Sequence, residues 1–367
     1  MSELVLYRKY RPRSFDEVVG QRHVIEAIQN AIRMNRVAHA YLFSGPRGVG
    51  KTTVARLIAK ALNCDGKGDR PCNKCRFCTD FNEGRAFDVI EIDAASNRGV
   101  DDIRELREGV RHVPTQGAYK TYIIDEVHQL SKDAFNALLK TLEEPPSHAV
   151  FILATTEFEK VLPTIVSRTQ HYDFRRPSAA DIAARLIRIA KKDGVIVESD
   201  AAQIVALAAE GSFRDGESIL GTIMAVEDKK ITRDEVERIL GLPRRDSAKK
   251  MFEHIAKKDA SAALALVQEI HDAGHDLAYF SKMLMRYFRA ALFLKVDPAL
   301  AHFVEEEFLP DETACITAHL PLFAPGELPS ALNTISQNIQ QFKKTPIPQL
   351  PLELTVMELS TRSSTEK

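Results

Sequence analysis

The sequence predicts an α/β fold, a mostly parallel five-stranded sheet covered by helices, continued by all-helical segments. Three observations carry this. Short β-branched and aromatic runs alternate with helical stretches through the first half of the chain. A glycine-rich turn joins the first run to the helix that follows it. Beyond about residue 178 the strand-like runs stop, and helical periodicity continues to about residue 361.

The runs are Tyr41-Leu42-Phe43, Val89-Ile90-Glu91-Ile92, Tyr122-Ile123-Ile124, Val150-Phe151-Ile152-Leu153 and His171-Tyr172-Asp173-Phe174. Strands separated by helix-length segments need crossover connections, which make the sheet parallel and cover both its faces. Arg175-Arg176-Pro177-Ser178 breaks the alternation, and Ser178 is placed to cap the next helix. Residues 179–242 read as an all-helical lid with segments near 179–193, 200–210, 214–227 and 233–240. Gly241-Leu242-Pro243 marks the next boundary. Leu277, Phe280, Leu284, Tyr287, Phe288, Ala291 and Leu292 then recur at three- and four-residue spacing, one apolar face of a long helix read as core packing. Ser363-Ser364-Thr365-Glu366-Lys367 reads as a frayed end. The expected domains are 1–178, with an inserted module at about 64–80, then 179–242 and 243–367.

A chain of 367 residues is long for one core, so two or three domains are expected. Apolar residues make up 44% and charged residues 28%, with a formal net charge of -1. Overall basicity therefore does not announce a nucleic-acid binder, and any such contact has to come from a local patch or an assembly. The opening MSELVLYRKYRPR is charged and short of apolar residues, unlike a signal peptide. The longest apolar stretch, residues 149–154, is too short for a bilayer. A cytoplasmic protein without membrane contact is expected.

Gly45-Pro46-Arg47-Gly48-Val49-Gly50-Lys51-Thr52 fits GxxxxGK[ST] between a strand and a helix. Its glycines turn backbone amides inward around phosphate oxygens above a helix N-terminus. Lys51 would reach the β- and γ-phosphates, Thr52 would ligate Mg²⁺, and Thr53 joins Gly45, Gly48, Val49 and Gly50 among the nucleotide-binding residues. Tyr122-Ile123-Ile124-Asp125-Glu126-Val127-His128 is an apolar strand ending in two carboxylates. Asp125 would hold the metal and Glu126 would orient or deprotonate a water. Thr155 and Thr156 end the next strand, where ligands of such sheets sit; a hydroxyl there senses the γ-phosphate or closes the strand as a polar terminus. Arg168 lies in a loop and Arg214 at the start of a lid helix. One suits the chain's own nucleotide and the other a neighbour's, and each also suits a surface ion pair. The basic Arg8-Lys9-Tyr10-Arg11-Pro12-Arg13 suits a nucleic-acid contact, a solvated face or a nucleotide contact, and the Val18-Val19-Gly20-Gln21 that follows points to a segment wrapping an adenine.

Four of the five cysteines, Cys64, Cys72, Cys75 and Cys78, fall in one short insert with no histidine nearby. In a reducing compartment that density means metal before disulfide. Four thiolates suit a closed tetrahedral Zn²⁺ site. An iron–sulfur cluster is the competing reading, disfavoured because the usual Cys-Pro ligand is missing. Cys315 reads as a buried apolar residue.

Taken in order, these pieces resemble the AAA+ clamp-loader ATPases, most closely the bacterial gamma/tau type. The resemblance runs through Tyr10-Arg11-Pro12 with Phe15, Val18-Val19-Gly20-Gln21, the P-loop and the four-cysteine insert. It continues through Ile92-Asp93-Ala94-Ala95-Ser96, Ile124-Asp125-Glu126-Val127-His128 and Phe135-Asn136-Ala137-Leu138-Leu139-Lys140-Thr141-Leu142-Glu143-Glu144-Pro145-Pro146. It closes on Ala154-Thr155-Thr156, Ser167-Arg168 and Gly211-Ser212-Phe213-Arg214-Asp215. It is dense over about residues 4–242 and looser through a helical third domain resembling the family's oligomerising collar. It implies that Arg168 is the finger completing a neighbour's ATP site, Arg214 the lid sensor of the chain's own nucleotide, and Thr155 the sensor beside Asp125. It also implies that Val18 and Val19 line the adenine pocket, and that Arg98 and Lys140 face DNA. Thr169 stands where the family has Cys, and Gly216 where it often has Ala, which is expected to loosen the start of the lid helix.

The implied activity is ATP hydrolysis, stimulated by DNA and clamp, that loads a ring-shaped sliding clamp on primed DNA within a DNA polymerase III holoenzyme. The implied partners are delta- and delta-prime-type subunits, further copies of the chain, the clamp, and primer-template DNA held through its phosphates. The rivals are a translocating AAA+ motor, which calls for an added β-containing DNA-binding domain, and a non-hydrolysing scaffold, which intact Glu126, Arg168 and Arg214 disfavour. No polymerase carboxylate constellation is present.

Overall fold

A computed structural model describes residues 5–97, 99–226, 229–241, 245–305, 308 and 310–361. The chain forms two compact units, Met1–Arg233 and Asp234–Lys367. The first opens with α1 (Leu6–Lys9) and α2 (Arg22–Arg33), followed by β1 (Ala40–Ser44), α3 (Lys51–Leu62) and α4 (Arg76–Asn82). Then come β2 (Val89–Asp93), α5 (Val100–Val110), β3 (Lys120–Asp125), α6 (Lys132–Glu143), β4 (Ala149–Thr155), α7 (Pro163–Val166) and β5 (Gln170–Asp173). All five strands are parallel in the order β2-β3-β4-β1-β5.

Alternation along the strands divides the core into two layers. Tyr41, Phe43, Ile123, Ile152 and Ala154 pack with α2, α3 and α4 on one face. Ala40, Leu42, Tyr122, Ile124, Phe151 and Leu153 pack with α5, α6 and α7 on the other. Because both faces are covered, β1 and β4 are buried at every residue, which is why they read as unbroken apolar runs. Register sets the functional edge: Ser44 pairs with Thr155 and with Asp173, and Asp93 pairs with Asp125. Polar residues therefore end all five strands on the same side of the sheet.

The remainder of this unit holds α8 (Ala179–Lys192), β6 (Ile196–Val197), α9 (Ser199–Ala208), α10 (Phe213–Met224) and β7 (Lys230–Ile231). Ser178 caps α8 in a full capping box with Asp181. The all-helical expectation for residues 179–242 is corrected here by β6 and β7, which form a two-residue parallel pair, Ile196 with Lys230 and Val197 with Ile231. Two residues are too few to show a period of two. Gly216 lets α10 press close, since a Cβ there would sit 3.1 Å from an Ile182 methyl and 3.3 Å from Ala209 Cβ.

Next in order are α11 (Arg233–Ile239), α12 (Arg245–Ala256), α13 (Ala260–Asp272), α14 (Leu277–Val296), α15 (Ala301–Glu305), α16 (Pro310–His319), α17 (Glu327–Ile339) and α18 (Leu350–Thr361). In the second unit, Leu277, Phe280, Leu284, Tyr287, Phe288 and Ala291 of α14 are buried, with Leu292 partly so, in a core that includes Phe252 and Phe323. Cys315 is buried in that core, and burial pushes its thiol up to about 12. Leu242, Pro243 and Ser363 through Lys367 lie outside the described residues. No helix among the described residues is long and apolar enough to cross a membrane.

Candidate nucleotide-binding site

The turn between β1 and α3 is built by glycines in the left-handed region. Gly45, Gly48 and Gly50 have φ of 137°, 74° and 107°, values that L side chains rarely adopt. Two of the three are also crowded. A Cβ on Gly45 would run into the Phe174 carbonyl, and one on Gly48 into the Ser212 hydroxyl. The Phe213 N–H donates to the Gly48 carbonyl at 3.1 Å, so α10 is tied directly to this turn.

A cavity of about 460 Å³ opens above the turn. Val18, Val19, Gly48, Val49, Gly50, Lys51, Thr52, Thr53, Asp125, Glu126 and Arg214 all line it. At its floor Lys51 is buried, and its ammonium donates to the Gly45 and Pro46 carbonyls at 2.6 and 2.8 Å. Burial pulls its pKa below the usual lysine value, opposed by Glu126 and Asp125. The Thr52 hydroxyl donates to Asp125 Oδ2 at 2.7 Å. Hydroxyl and carboxylate oxygens side by side, with Asp93 also lining the cavity, are hard donors that fit a magnesium ion.

Glu126 has a left-handed backbone, φ 49°, which turns its side chain off the strand axis. Its Oε2 accepts from the Thr156 N–H at 3.1 Å and the Thr156 hydroxyl at 2.8 Å. Thr155 does not line the cavity. It is fully buried, with Oγ1 2.9 Å from His128 Nδ1 and accepting the Glu157 N–H at 3.0 Å. His128 Nε2 lies 3.1 Å from Glu157 Oε1. Arg168 also stands apart from the cavity, in the loop after α7. Its guanidinium bonds Glu143 at 2.7 Å and the Thr164 carbonyl at 2.9 Å. Lys140 is exposed on α6, and Arg98 lies outside the described residues.

Several contributors carry no motif. Arg214 stacks over the Tyr7 ring at 4.8 Å, so the N-terminal segment meets the lid inside the cavity wall. Arg185 pairs with buried Glu217 and donates to the Tyr10 carbonyl at 2.9 Å. Burial raises the Glu217 pKa, and Arg185 opposes it. Gln21 turns away from the cavity and bonds both backbone groups of Arg175, at 2.6 and 3.0 Å. Apart from Arg185 with Glu217, these pairs link residues more than 150 positions apart, which no local pattern signals.

At the far end of α3, the sulfurs of Cys64, Cys72, Cys75 and Cys78 lie within 4.8 Å of one another. Zinc–sulfur bonds of about 2.3 Å in a tetrahedron set sulfurs about 3.8 Å apart, so the four thiols fit one such ion. Backbone N–H groups of Gly66 and Cys72 point at Cys64, and that of Cys75 at Cys72, at 3.2 to 3.4 Å. The N–H groups of Lys74 and Cys75 hold the Cys72 thiol down at about 6, whereas burial pushes Cys78 up.

Residues 20–178 match a family described as DNA polymerase III, delta subunit, and residues 231–366 match DNA polymerase III subunits gamma and tau domain III. The chain is 41% identical over 368 residues to the DNA polymerase III subunit tau of Bacillus subtilis, covering 98% of this chain and 63% of that protein. It is 40% identical over 301 residues to the DNA polymerase III subunit gamma of Buchnera aphidicola, covering 82% and 83%. To the Escherichia coli subunit tau it is 42% identical over 301 residues, covering 82% and 47%. The chain thus spans roughly half to two thirds of the length of several relatives it matches. Among solved structures, a Thermotoga maritima RuvB variant gives a TM-score of 0.49 at 20% identity, covering 67% of this chain and 78% of that one. A Bacillus subtilis clamp loader delta protein gives 0.39 at 15%, covering 92% and 99%.

Proposed function

The chain belongs to the gamma/tau family of bacterial DNA polymerase III subunits, and from that premise we propose that it is the ATP-hydrolysing subunit of a sliding-clamp loader. The observation that carries the reading is one cavity that gathers the glycine turn, Lys51, the Thr52–Asp125 pair and Glu126.

In this reading the amides of the glycine turn and Lys51 hold the β- and γ-phosphates. Val18 and Val19 pack on the adenine, and Thr52 and Asp125 would hold Mg²⁺, which supplies charge neutralisation at the phosphates. Glu126 takes the proton of, or aims, the attacking water once its carboxylate leaves Thr156. Thr155 reports the γ-phosphate through its bond network with His128. Arg214 leaves the Tyr7 ring to read the chain's own nucleotide, which carries α10 with it. Arg168 leaves Glu143 and reaches the nucleotide of a neighbouring subunit. Lys140 and Arg98 face DNA phosphates. Cys64, Cys72, Cys75 and Cys78 would hold Zn²⁺ as a closed structural site, favoured over a cluster by how closely the sulfurs gather. The partners are delta- and delta-prime-type subunits, further copies of the chain, a ring-shaped clamp and primed DNA.

The test is steady-state ATP hydrolysis by the chain reconstituted with its partner subunits, with and without primed DNA and clamp, beside Arg168→Ala. DNA and clamp together are expected to raise the rate, and the variant to lose about 10³-fold or more of the stimulated rate. A rate that ignores the clamp and follows DNA length would replace the loader with a translocating motor.

A further inference from the structure

Lys60 is 1% exposed, and an ammonium that far from water needs oxygen partners or a nearby negative charge. It has both. Its Nζ donates to the Asn82 side-chain carbonyl at 2.6 Å, to the Asn73 side-chain carbonyl, and to the Arg13 backbone carbonyl at 3.3 Å. Asn73 sits between Cys72 and Cys75, and its backbone N–H acts on the Cys78 sulfur. Burial pulls the Lys60 pKa below the usual lysine value, opposed by the Cys78 and Cys64 sulfurs and by Glu17.

The same lysine, although it does not line the nucleotide cavity, is tied to it by two routes. It stands in the last turn of α3, whose first two residues are Lys51 and Thr52 and whose body is buried almost throughout. A packed, buried helix moves as a unit. Its second route is Arg13, two residues from Arg11, which lines the cavity beside Pro12.

We propose that Lys60 is the counter-cation of the four-cysteine centre and couples it to the nucleotide site, so that a bound metal ion tightens nucleotide binding. This rests on the reading of the centre and cavity given above. Four thiolates around a divalent ion leave a net double negative charge, and Lys60 is the buried cation that offsets part of it. With the ion bound, that attraction fixes Lys60 against Asn73 and Asn82. The C-terminal end of α3 and the Arg13 carbonyl are then held in one place. Without the ion the sulfurs lose their common partner, and the helix that presents Lys51 and Thr52 loses its anchor.

The test uses the full chain, loaded with zinc or stripped under reducing conditions. Affinity for a fluorescent ATP analogue with magnesium is measured in both states. Zinc affinity is measured by competition with a chromogenic chelator, with and without saturating nucleotide. Stripping wild type is expected to weaken nucleotide binding about 5- to 150-fold, and nucleotide to raise zinc affinity by the same factor, because coupling is reciprocal. Lys60→Met is expected to lose about 10- to 100-fold in zinc affinity and to make the two affinities independent. Equal nucleotide affinity in loaded and stripped wild type, or an unchanged zinc affinity in the folded Met variant, overturns the coupling while leaving the metal centre standing. A chain that takes up no zinc overturns the metal centre itself, and the inference with it. The wild-type reciprocity needs no variant and decides the matter should Lys60→Met fail to fold.

Discussion

Gly48→Ala probes the seam between the glycine turn and α10, and Gly50→Ala supplies its internal control. Both glycines have positive φ, 74° and 107°, so both variants bear the left-handed cost of an L-residue, about 1–2 kcal/mol. They differ in what the new methyl meets. Around Gly50 there is open space within 4 Å, whereas at Gly48 a Cβ falls on the Ser212 hydroxyl, 3.0 Å from Ser212 Cβ and 3.4 Å from Arg214 Cβ. Ordinary carbon contacts begin near 3.5 Å, so the start of α10 has to retreat. Retreat breaks the Phe213-to-Gly48 bond at 3.1 Å, about 0.5–1.5 kcal/mol, and disturbs the Ser212 cap that accepts from Asp215 N–H. In a domain of this size each kcal/mol moves the midpoint by about 2–4 °C. Gly48→Ala is therefore expected to melt about 1–6 °C below Gly50→Ala in calorimetry without nucleotide. Hydrogen exchange gives the local readout, with the Phe213 amide losing protection in Gly48→Ala alone. If the two variants melt together and Phe213 stays protected in both, α10 does not rest on the turn.

Thr156→Val removes the hydroxyl that holds Glu126 and keeps the backbone bond. Freeing a carboxylate from such a bond, worth about 1.5–3 kcal/mol, is expected to raise the unstimulated hydrolysis rate and shrink the gain from DNA and clamp. A parallel fall of both rates would mean that Thr156 aims Glu126 instead of restraining it. Asp88 is buried, which alone would push its carboxyl up, but the N–H groups of Thr115, Gln116 and Gly117 outweigh this and hold it below the usual value. A depressed pKa stabilises the fold above the unfolded value near 3.8 and loses that support as pH falls through the folded one. Asp88→Asn is accordingly expected to lower the melting temperature at pH 7 and to flatten the loss of stability below about pH 4, read from melts across pH. An equal deficit at every pH would refute the charge-based account.

How much could be seen in the sequence depended on how local the physics was. The glycine turn, the Asp125-Glu126 strand end and the four-cysteine spacing each lie within one short stretch, and the strand runs are apolar because both sheet faces are covered. Glu126 and Thr156 are 30 positions apart, and their bond needs the register of two parallel strands before it exists. Tyr7 with Arg214, and Tyr10 with Arg185, need the N-terminal segment laid against the lid. Lys60 looks like an ordinary helical lysine until Asn73 and Asn82 close over it. Thr155 was legible as a strand end, but its engagement with His128 was not, because the imidazole arrives from a turn that sequence alone leaves unoriented.

The polar row along the sheet edge has a consequence for how such a chain can diverge. Asp93, Asp125, Thr155, Ser44 and Asp173 owe their common level to strand register and not to contacts among all five. A substitution at one position changes one side chain. A single-residue insertion or deletion within a strand shifts its member by about 3.3 Å and sends it to the opposite face. Within these strands length is therefore the constrained quantity and residue identity the freer one. Gaps among related sequences are accordingly expected in the connections, such as the cysteine-bearing segment between α3 and β2, and not within the strands.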